Sequence, residues 1–537
     1  MKLDTTKYIF VTGGVCSSLG KGVSTASVAL LLKSMGYKVN VVKIDPYLNV
    51  DAGTMSPYQH GEVFVTFDGG ETDLDLGTYE RFLNQRMYKV SSITAGKVYK
   101  SVIEKERRGD YLGQTVQVIP HITNEIKDMI RQARYFEGEE VDILLVEVGG
   151  TVGDIESIPF IEAIRQFSLE VGKRNCLFIH VTLLPYLASS DEIKTKPTQH
   201  SVAKLRELGI QPDMIVCRSE KDFSKNEIKK IALFTNVEER AVIKSLNMST
   251  IYEVPLSYVE QEMDRTICDL LGIQHYTPDF SLLRKKIEIF KSIEDEITVA
   301  MVGKYVGLRD AYKSIYESLF HAGVENKVRV KVVSIEADKV SEGELEDVLS
   351  KVDGVLVPGG FGKRGIEGKL LSAKFARENN IPFLGICLGM QVMAIEFARN
   401  VCELSDANSL EFESKTSHPV ISMLDDQKRV VIKGGTMRLG AQKILLKKNT
   451  VVYQEYGKEE VYERHRHRYE FNPEYIPSFE ENGMVFSGFS DTGLVEVLEN
   501  SNSRFMIGVQ FHPEFQSSIF SPNPVFNAFV KAMINTI

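Results

Sequence analysis

The stretch Gly13-Gly14-Val15-Cys16-Ser17-Ser18-Leu19-Gly20-Lys21-Gly22 constrains this chain more than any other. Upstream, Tyr8–Val11 is an apolar run of strand length. Downstream, residues 23–35 carry Val28, Leu31, Leu32 and Met35 at helical spacing. A glycine-rich turn at a strand-to-helix switch presents backbone N–H groups and the positive helix end to an anion, and Lys21 adds a full charge. The spacing departs from the usual phosphate-loop pattern G-x-x-x-x-G-K-[ST]. Five residues separate Gly14 from Gly20, and Gly22 stands where a Ser or Thr would ligate Mg²⁺. The bland alternative is a turn with no ligand; glycine, serine and lysine coinciding at this switch favour phosphate. Any metal then draws its protein ligands from elsewhere.

The rest of the first half reads as further strand–helix units. Strands are expected at Lys38–Asp45, Val141–Val148, Cys176–Leu183 and Met214–Cys217, a helix over Asn226–Phe234, and Thr250–Val254 closes the series. Such alternation implies a mostly parallel sheet. Residues 50–77 are polar, with few helical signals. Within them Asp73 and Asp75 are two apart, which in an extended segment puts both on one face. Carboxylates near a phosphate cradle need an intervening cation; a solvated acidic loop explains them equally well. Glu147 interrupts a buried strand, where carboxylates are rare unless paired or metal-bound. It and the following Asp154–Glu156 turn lie past a strand's carboxyl end, where α/β sheets collect ligands.

A chain of 537 residues exceeds one core, and length alone suggests about three to four domains. Net charge of −9 gives no global pull toward nucleic acid. No apolar run approaches the roughly 18 residues that span a bilayer. The N-terminal Met1–Thr5 leads almost at once into a strand, without a signal-like apolar region. Six scattered cysteines without a C-x-x-C pair suit reduced thiols in the cytoplasm.

Residues 273–296 read as a linker, broken by His275-Tyr276-Thr277-Pro278-Asp279 and then a charged helix over Leu282–Phe290. A new series starts at Ile297, with strands at Ile297–Gly303, Val328–Ile335, Val355–Val357 and Phe383–Ile386. Gly385-Ile386-Cys387-Leu388-Gly389 is G-x-C-x-G, the thiol counterpart of the nucleophile elbow. A helix N-terminus behind a thiol favours the thiolate; Cys176 and Cys402 lack this setting and read as structural. Phe511-His512-Pro513-Glu514-Phe515 follows another strand and supplies a base and its orienting acceptor. Pro358-Gly359-Gly360-Phe361-Gly362 offers backbone N–H groups for an oxyanion hole with Leu388.

Together with Met55-Ser56-Pro57-Tyr58-Gln59-His60-Gly61-Glu62-Val63 and Lys194–Gln199, these motifs resemble the CTP synthase family over essentially the whole chain. The resemblance implies an α/β chain. Residues 1–272 would form a P-loop-like, mostly parallel-sheet amidoligase domain. Residues 297–537 would form a flavodoxin-like class I glutamine amidotransferase domain. It implies ATP-dependent amination of UTP to CTP through a 4-phospho-UTP intermediate, with ammonia from glutamine, Mg²⁺ as metal, GTP as allosteric activator and CTP as inhibitor. Family roles fall on Ser18, Leu19, Gly20, Lys21, Gly22, Val23 and Asp75 for ATP, and on Asp75 and Glu147 for the metal. UTP and CTP fall to Ser17, Asp154, Ile155, Glu156, Lys194, Thr195, Lys196, Pro197, Thr198, Gln199 and Lys230. Glutamine falls to Gly360, Leu388, Gly389, Met390, Gln391, Glu411 and Arg468, and catalysis to Cys387, His512 and Glu514. Arg468 ends Arg464-His465-Arg466-His467-Arg468, a run that composition alone would give to nucleic acid; a carboxylate clamp is the better reading. His60 falls beside the ammonia passage. The family also implies a homotetramer built as a dimer of dimers, filaments, and neither nucleic acid nor membrane as partner.

Cys16, Phe67 and Lys363 depart from the family's usual residues, and Leu246-Asn247-Met248 departs where the family contacts adenine, so the adenine pocket and the GTP site stay unassigned. Two rival classes weigh against this reading. A nucleotide-switched partition-type ATPase leaves Cys387, His512 and Glu514 without purpose. A purely filament-forming scaffold leaves intact catalytic motifs unexplained.

Overall fold

Seven strands of the first half pair as one wholly parallel sheet. They are β1 (Lys7–Gly13), β2 (Val39–Asp45), β3 (Ser92–Thr94), β4 (Ile143–Val148), β5 (Cys176–Leu183), β6 (Met214–Ser219) and β7 (Val242–Leu246), in the order β7-β6-β5-β1-β4-β2-β3. The computed structural model describes residues 6–423 and 435–534, so the Met1–Thr5 lead-in lies outside the described residues. The central strands are buried on both faces, as parallel sheets require. Tyr8 packs edge-on against Phe167, with ring centroids 4.7 Å apart. The chain builds to one side of β1 and then to the other, so the carboxyl ends of β1 and β4 mark the switch point where ligands collect. Pairing of Val11 with Glu147, and of Lys43 with Glu147, brings three strand ends to that point.

Two local expectations are corrected. Thr250–Val254 is not a strand: Ile251–Glu253 is a single helical turn and Val254 begins the next helix, with Pro255 in its first turn, where its fixed φ is accommodated. The last strand is β7, hidden from periodicity because Lys244 and Ser245 break its apolar run. Asp73 and Asp75 do not share one face of an extended segment. Asp75 lies in the first turn of helix Leu74–Leu83, and Asp73 Oδ1 accepts its N–H at 2.8 Å. A carboxylate suits the donor-rich start of a helix better than a strand.

The second half forms a nine-stranded sheet. Its strands are β8 (Glu296–Gly303), β9 (Arg329–Glu336), β10 (Gly354–Val357), β11 (Phe383–Ile386), β12 (Arg438–Leu446), β13 (Glu460–His467), β14 (Met484–Ser490), β15 (Val495–Asn500) and β16 (Met506–Val509). The order is β9-β8-β10-β11-β16-β15-β14-β12-β13, parallel through β16 and antiparallel beyond it.

The chain divides into two compact units, and the division does not follow chain order alone. One unit comprises the chain up to Asp51 with Thr78–Ile287; the other comprises Ala52–Gly77 with everything from Glu288. The inserted segment is bonded into its unit by buried polar groups. Glu62 Oε2 accepts from the Ser314 N–H at 2.8 Å, at the start of helix Lys313–Asn326. Arg464, wholly enclosed, donates to the Val65 carbonyl at 3.0 Å, and Arg466 Nε lies 2.8 Å from Glu71 Oε1. No described helix is long and apolar enough to cross a membrane.

Candidate functional site

In the first unit the glycine-rich turn joins β1 to α1 (Lys21–Ser34). Val15, Ser18 and Gly20 take left-handed φ values of 83°, 56° and 90°, the kind of backbone from which anion-binding concavities are built. Ser17 and Ser18 are exposed at its rim. Lys21 is buried, and its Nζ donates to the Gly150 carbonyl at 2.8 Å. Gly14 is required by packing: a Cβ there would sit 1.7 Å from Ser201 Oγ. That hydroxyl is held by His180 Nε2 at 2.8 Å, and His180 is kept neutral by burial and by nearby Lys21, its pKa lowered to about 3.

Glu147 is wholly buried and held by Lys43 Nζ at 2.9 Å and by the Tyr79 hydroxyl. Lys43 Nζ also lies 3.9 Å from Asp45 Oδ1, so an ammonium stands between two buried carboxylates. The cation these carboxylates hold is the Lys43 ammonium, and strand pairing rather than sequence spacing assembles the group; among the described residues no cluster of three or more His, Cys, Asp or Glu is placed to hold a metal ion. Lys43 and Asp45 escaped the sequence reading because they end an otherwise apolar strand. Asp75 belongs to the other compact unit.

Of the residues expected at the UTP site, Asp154, Ile155 and Glu156 form an exposed turn, with Asp154 Oδ2 accepting the Thr151 N–H at 3.0 Å. Lys194 pairs with Glu192. Lys196 and Pro197 open helix α2 (Lys196–Glu207), with Lys196 Nζ 5.7 Å from the Phe234 ring centre. Thr198 Oγ1 donates to the Leu183 carbonyl at 3.1 Å and Gln199 Nε2 to Thr195 Oγ1 at 3.0 Å. Lys230 is exposed on helix Lys225–Thr235. Leu246, Asn247 and Met248 line a cavity of about 180 Å³ with Gly20, Ser24 and Arg218, at the far end of the phosphate turn.

In the second unit Cys387 follows β11 and caps helix α3 (Leu388–Asn400) at φ 52°, ψ −102°, a strained position for a residue with a Cβ. The flanking glycines make the elbow possible. A Cβ on Gly389 would lie 2.0 Å from the Val357 carbonyl oxygen, and one on Gly385 would lie 2.6 Å from Gly389 backbone. His512 Nδ1 meets Glu514 Oε1 at 2.7 Å, and the enclosed ring also interacts with Cys387. Burial opposes the imidazolium, but Glu514 and Cys387 outweigh it and raise the His512 pKa to about 10. A Cβ on Gly359 would meet His512 Cε1 at 2.8 Å and Cys387 Cβ at 3.6 Å, so nucleophile and base meet in space that only glycine leaves open.

These residues line a cavity of about 550 Å³ with Gly360, Phe361, Arg468 and the inserted Gly53, Thr54 and Met55. Arg468 Nη2 donates to Thr436 Oγ1 at 2.9 Å. Glu411 Oε1 accepts the Gly362 N–H at 2.6 Å, and burial raises its carboxyl pKa. Leu388 is buried at the start of α3, Gln391 Nε2 donates to the Tyr469 carbonyl at 3.0 Å, and Met390 packs against Gly508. Gln510, absent from the sequence reading, approaches Cys387 Sγ through Nε2 at 3.6 Å. Lys304 donates to the Phe361 and Gly362 carbonyls. His60 Nε2 lies 3.3 Å from Asp73 Oδ2.

A thiol elbow with a His–Glu partner on one α/β sheet, and a glycine-rich strand-to-helix turn with a buried lysine on a parallel sheet of the same chain, have the pattern of a glutamine-amidotransferase-type ligase. Residues 7–273 match the family model described as CTP synthase N-terminus, and residues 307–532 match glutamine amidotransferase class-I. The chain is 54% identical over 529 residues to the CTP synthase of Aquifex aeolicus, and 54% over 535 residues to that of Methanocaldococcus jannaschii. It is 55% identical over 527 residues to that of Clostridium acetobutylicum; each of the three comparisons covers 98% of both chains. The chain belongs to the CTP synthase family.

Proposed function

We propose that this chain aminates UTP to CTP with nitrogen from glutamine and energy from ATP. In the second unit the Cys387 thiolate attacks the glutamine amide carbon. The oxyanion takes N–H groups of Gly360 and Leu388, and His512 gives its proton to the departing ammonia. His512 then activates the water that releases glutamate, with Glu514 holding the ring in one tautomer. Arg468 and Glu411 bind the amino-acid end of glutamine, and Leu388, Gly389, Met390 and Gln391 are the further glutamine contacts that the family's pattern implies.

In the first unit Ser18–Val23 grip the ATP phosphates, and Lys21 neutralises the transferring group. The cavity at Leu246–Met248 takes the adenine. The phosphoryl group passes to O4 of the uracil ring, giving 4-phospho-UTP; ammonia attacks C4 and inorganic phosphate leaves. A phosphate ester leaves far more readily than an amide-like oxygen. By the family's pattern Glu147 and Asp75 would hold Mg²⁺, which would supply charge neutralisation on the phosphates. Ser17, Asp154–Glu156, Lys194–Gln199 and Lys230 hold UTP, and CTP as feedback inhibitor. GTP acts as activator, and nucleotides draw dimers into a cytoplasmic homotetramer.

The observation that carries this reading is the shared cavity of Cys387, His512 and Glu514, formed on the same chain as a phosphate cradle. Following UTP-to-CTP absorbance, Cys387→Ala is expected to abolish glutamine-dependent synthesis and to keep synthesis from added ammonium. Loss of both, or of neither, overturns the assignment.

A further inference from the structure

Lys369 stands in the first turn of the helix Ile366–Glu378, yet its side chain is wholly enclosed. Its Nζ has no hydrogen-bond partner among the described residues. An ammonium here is opposed by the positive end of its own helix, by desolvation, and by Lys304 and Arg364. A Met or Leu of similar volume would remove that penalty. The amine therefore stands where stability alone would not place one.

Its surroundings indicate what it faces. A Cβ built on Gly360 would lie 3.8 Å from Lys369 Nζ and 3.4 Å from Leu388 Cδ2, so the amine sits by the peptide proposed to receive the oxyanion. The same loop is gripped on its other members by Lys304, at the Phe361 and Gly362 carbonyls, and by Glu411, at the Gly362 N–H. The titratable and charged groups acting on Lys369 are Lys304 after β8, Arg364 in the preceding loop, Glu411, and Cys387 at the start of α3. The neighbouring helix Glu342–Leu349 turns Glu342, Glu344 and Glu346 to solvent.

We infer that Lys369 is a positioning residue for glutamine hydrolysis, a buried amine that in its charged form offsets the negative charge gathering at Cys387 and along the Pro358–Gly362 loop. The inference rests on Cys387 being the nucleophile. Burial, followed by Lys304, lowers the amine's pKa to about 7, while Cys387 and Glu411 pull it back up. Charge on the thiolate or oxyanion thus favours the protonated amine, and rising pH discharges it. The effect on folding has the opposite sense. A lysine whose folded pKa lies below its unfolded value costs stability at pH below the unfolded value, increasingly so toward the folded one.

The test uses the full chain, with UTP, ATP, Mg²⁺ and GTP present, measuring glutamine hydrolysis and ammonia-dependent CTP synthesis from about pH 6 to pH 10. For Lys369→Met, glutamine-dependent kcat is expected to fall about 10- to 100-fold, with KM for glutamine and ammonia-dependent synthesis unchanged. Its melting temperature is expected to equal or exceed that of the parent, and the alkaline decline governed by Lys369 to disappear. Lys369→Arg, which keeps the charge, is expected to recover part of kcat and to move that decline to higher pH. An unchanged kcat and pH profile in Lys369→Met overturns the inference, as does a raised KM with a lowered melting temperature and an unaltered profile. Cys387→Ala run alongside separates the two readings: retained glutamine hydrolysis there removes the nucleophile assignment and the inference with it, whatever Lys369→Met does.

Discussion

At the scale of single residues, the His512–Glu514 contact carries a measurable consequence. With its pKa raised to about 10, His512 is an imidazolium at neutral pH in the folded chain, whereas an unfolded histidine titrates near 6.5. A raised folded pKa contributes stability that is fully present below the unfolded value and is lost as pH rises through the folded one. Glu514→Gln removes the charge that holds the imidazolium. The parent's advantage in melting temperature over Glu514→Gln is therefore expected to be largest near pH 6 and to shrink toward pH 10, read by thermal denaturation across that range. Glutamine-dependent kcat is expected to drop on the order of 10²- to 10⁴-fold, with ammonia-dependent synthesis intact.

At the scale of elements, the two turns that follow β1 and β11 obey one rule: each brings a backbone closer than any side chain would permit. At the first turn the chief obstacle is a hydroxyl, since a Cβ on Gly14 would meet Ser201 Oγ at 1.7 Å, with Ser201 Cβ at 3.0 Å and His180 Nε2 at 3.2 Å as lesser ones. Gly14→Ala is expected to weaken ATP binding at least about tenfold, by shifting the cradle. Ser201→Ala in that background is expected to restore part of it, as read by equilibrium nucleotide binding. At the second turn the obstacle is the Val357 carbonyl, which no side-chain substitution relieves. Gly389→Ala is expected to destabilise the fold by about 1–3 kcal/mol and to silence glutamine hydrolysis, as read by urea denaturation and ammonia release.

At the scale of the whole molecule, Ala52–Gly77 departs from chain order: its neighbours in sequence belong to one unit and its contacts to the other. Removing it leaves Arg464 without the Val65 carbonyl, Ser314 without the Glu62 carboxylate, and Phe515 without Phe64, its ring neighbour at 5.2 Å. Arg464 keeps the Phe515 carbonyl at 3.3 Å, but Arg466 loses the Glu71 carboxylate, and breaking a buried pair by removing one partner costs roughly 3–5 kcal/mol. A fragment of residues 288–537 is accordingly expected to melt well below the same unit in the full chain. A synthetic peptide of residues 52–77 is expected to raise that melting temperature in a concentration-dependent way; no rise with added peptide would show these contacts to be dispensable.

The sequence by itself determined the elements that rest on local pattern. Apolar runs such as Ile143–Val148 are buried wherever they fold, and glycine-rich turns such as Gly13–Gly22 and Gly385–Gly389 restrict the backbone regardless of what surrounds them. It therefore placed both α/β series, the glycine-rich turn after β1, the elbow at Cys387 and the neighbouring His512 and Glu514. Only the tertiary structure decided what depends on meetings between distant segments. Strand pairing set Lys43 between Glu147 and Asp45, the insertion of Ala52–Gly77 built one wall of the thiol cavity, and folding enclosed Lys369 beneath Gly360. Periodicity is silent on these because burial of a charge is fixed by the sum of its neighbours, and those neighbours lie tens to hundreds of residues away.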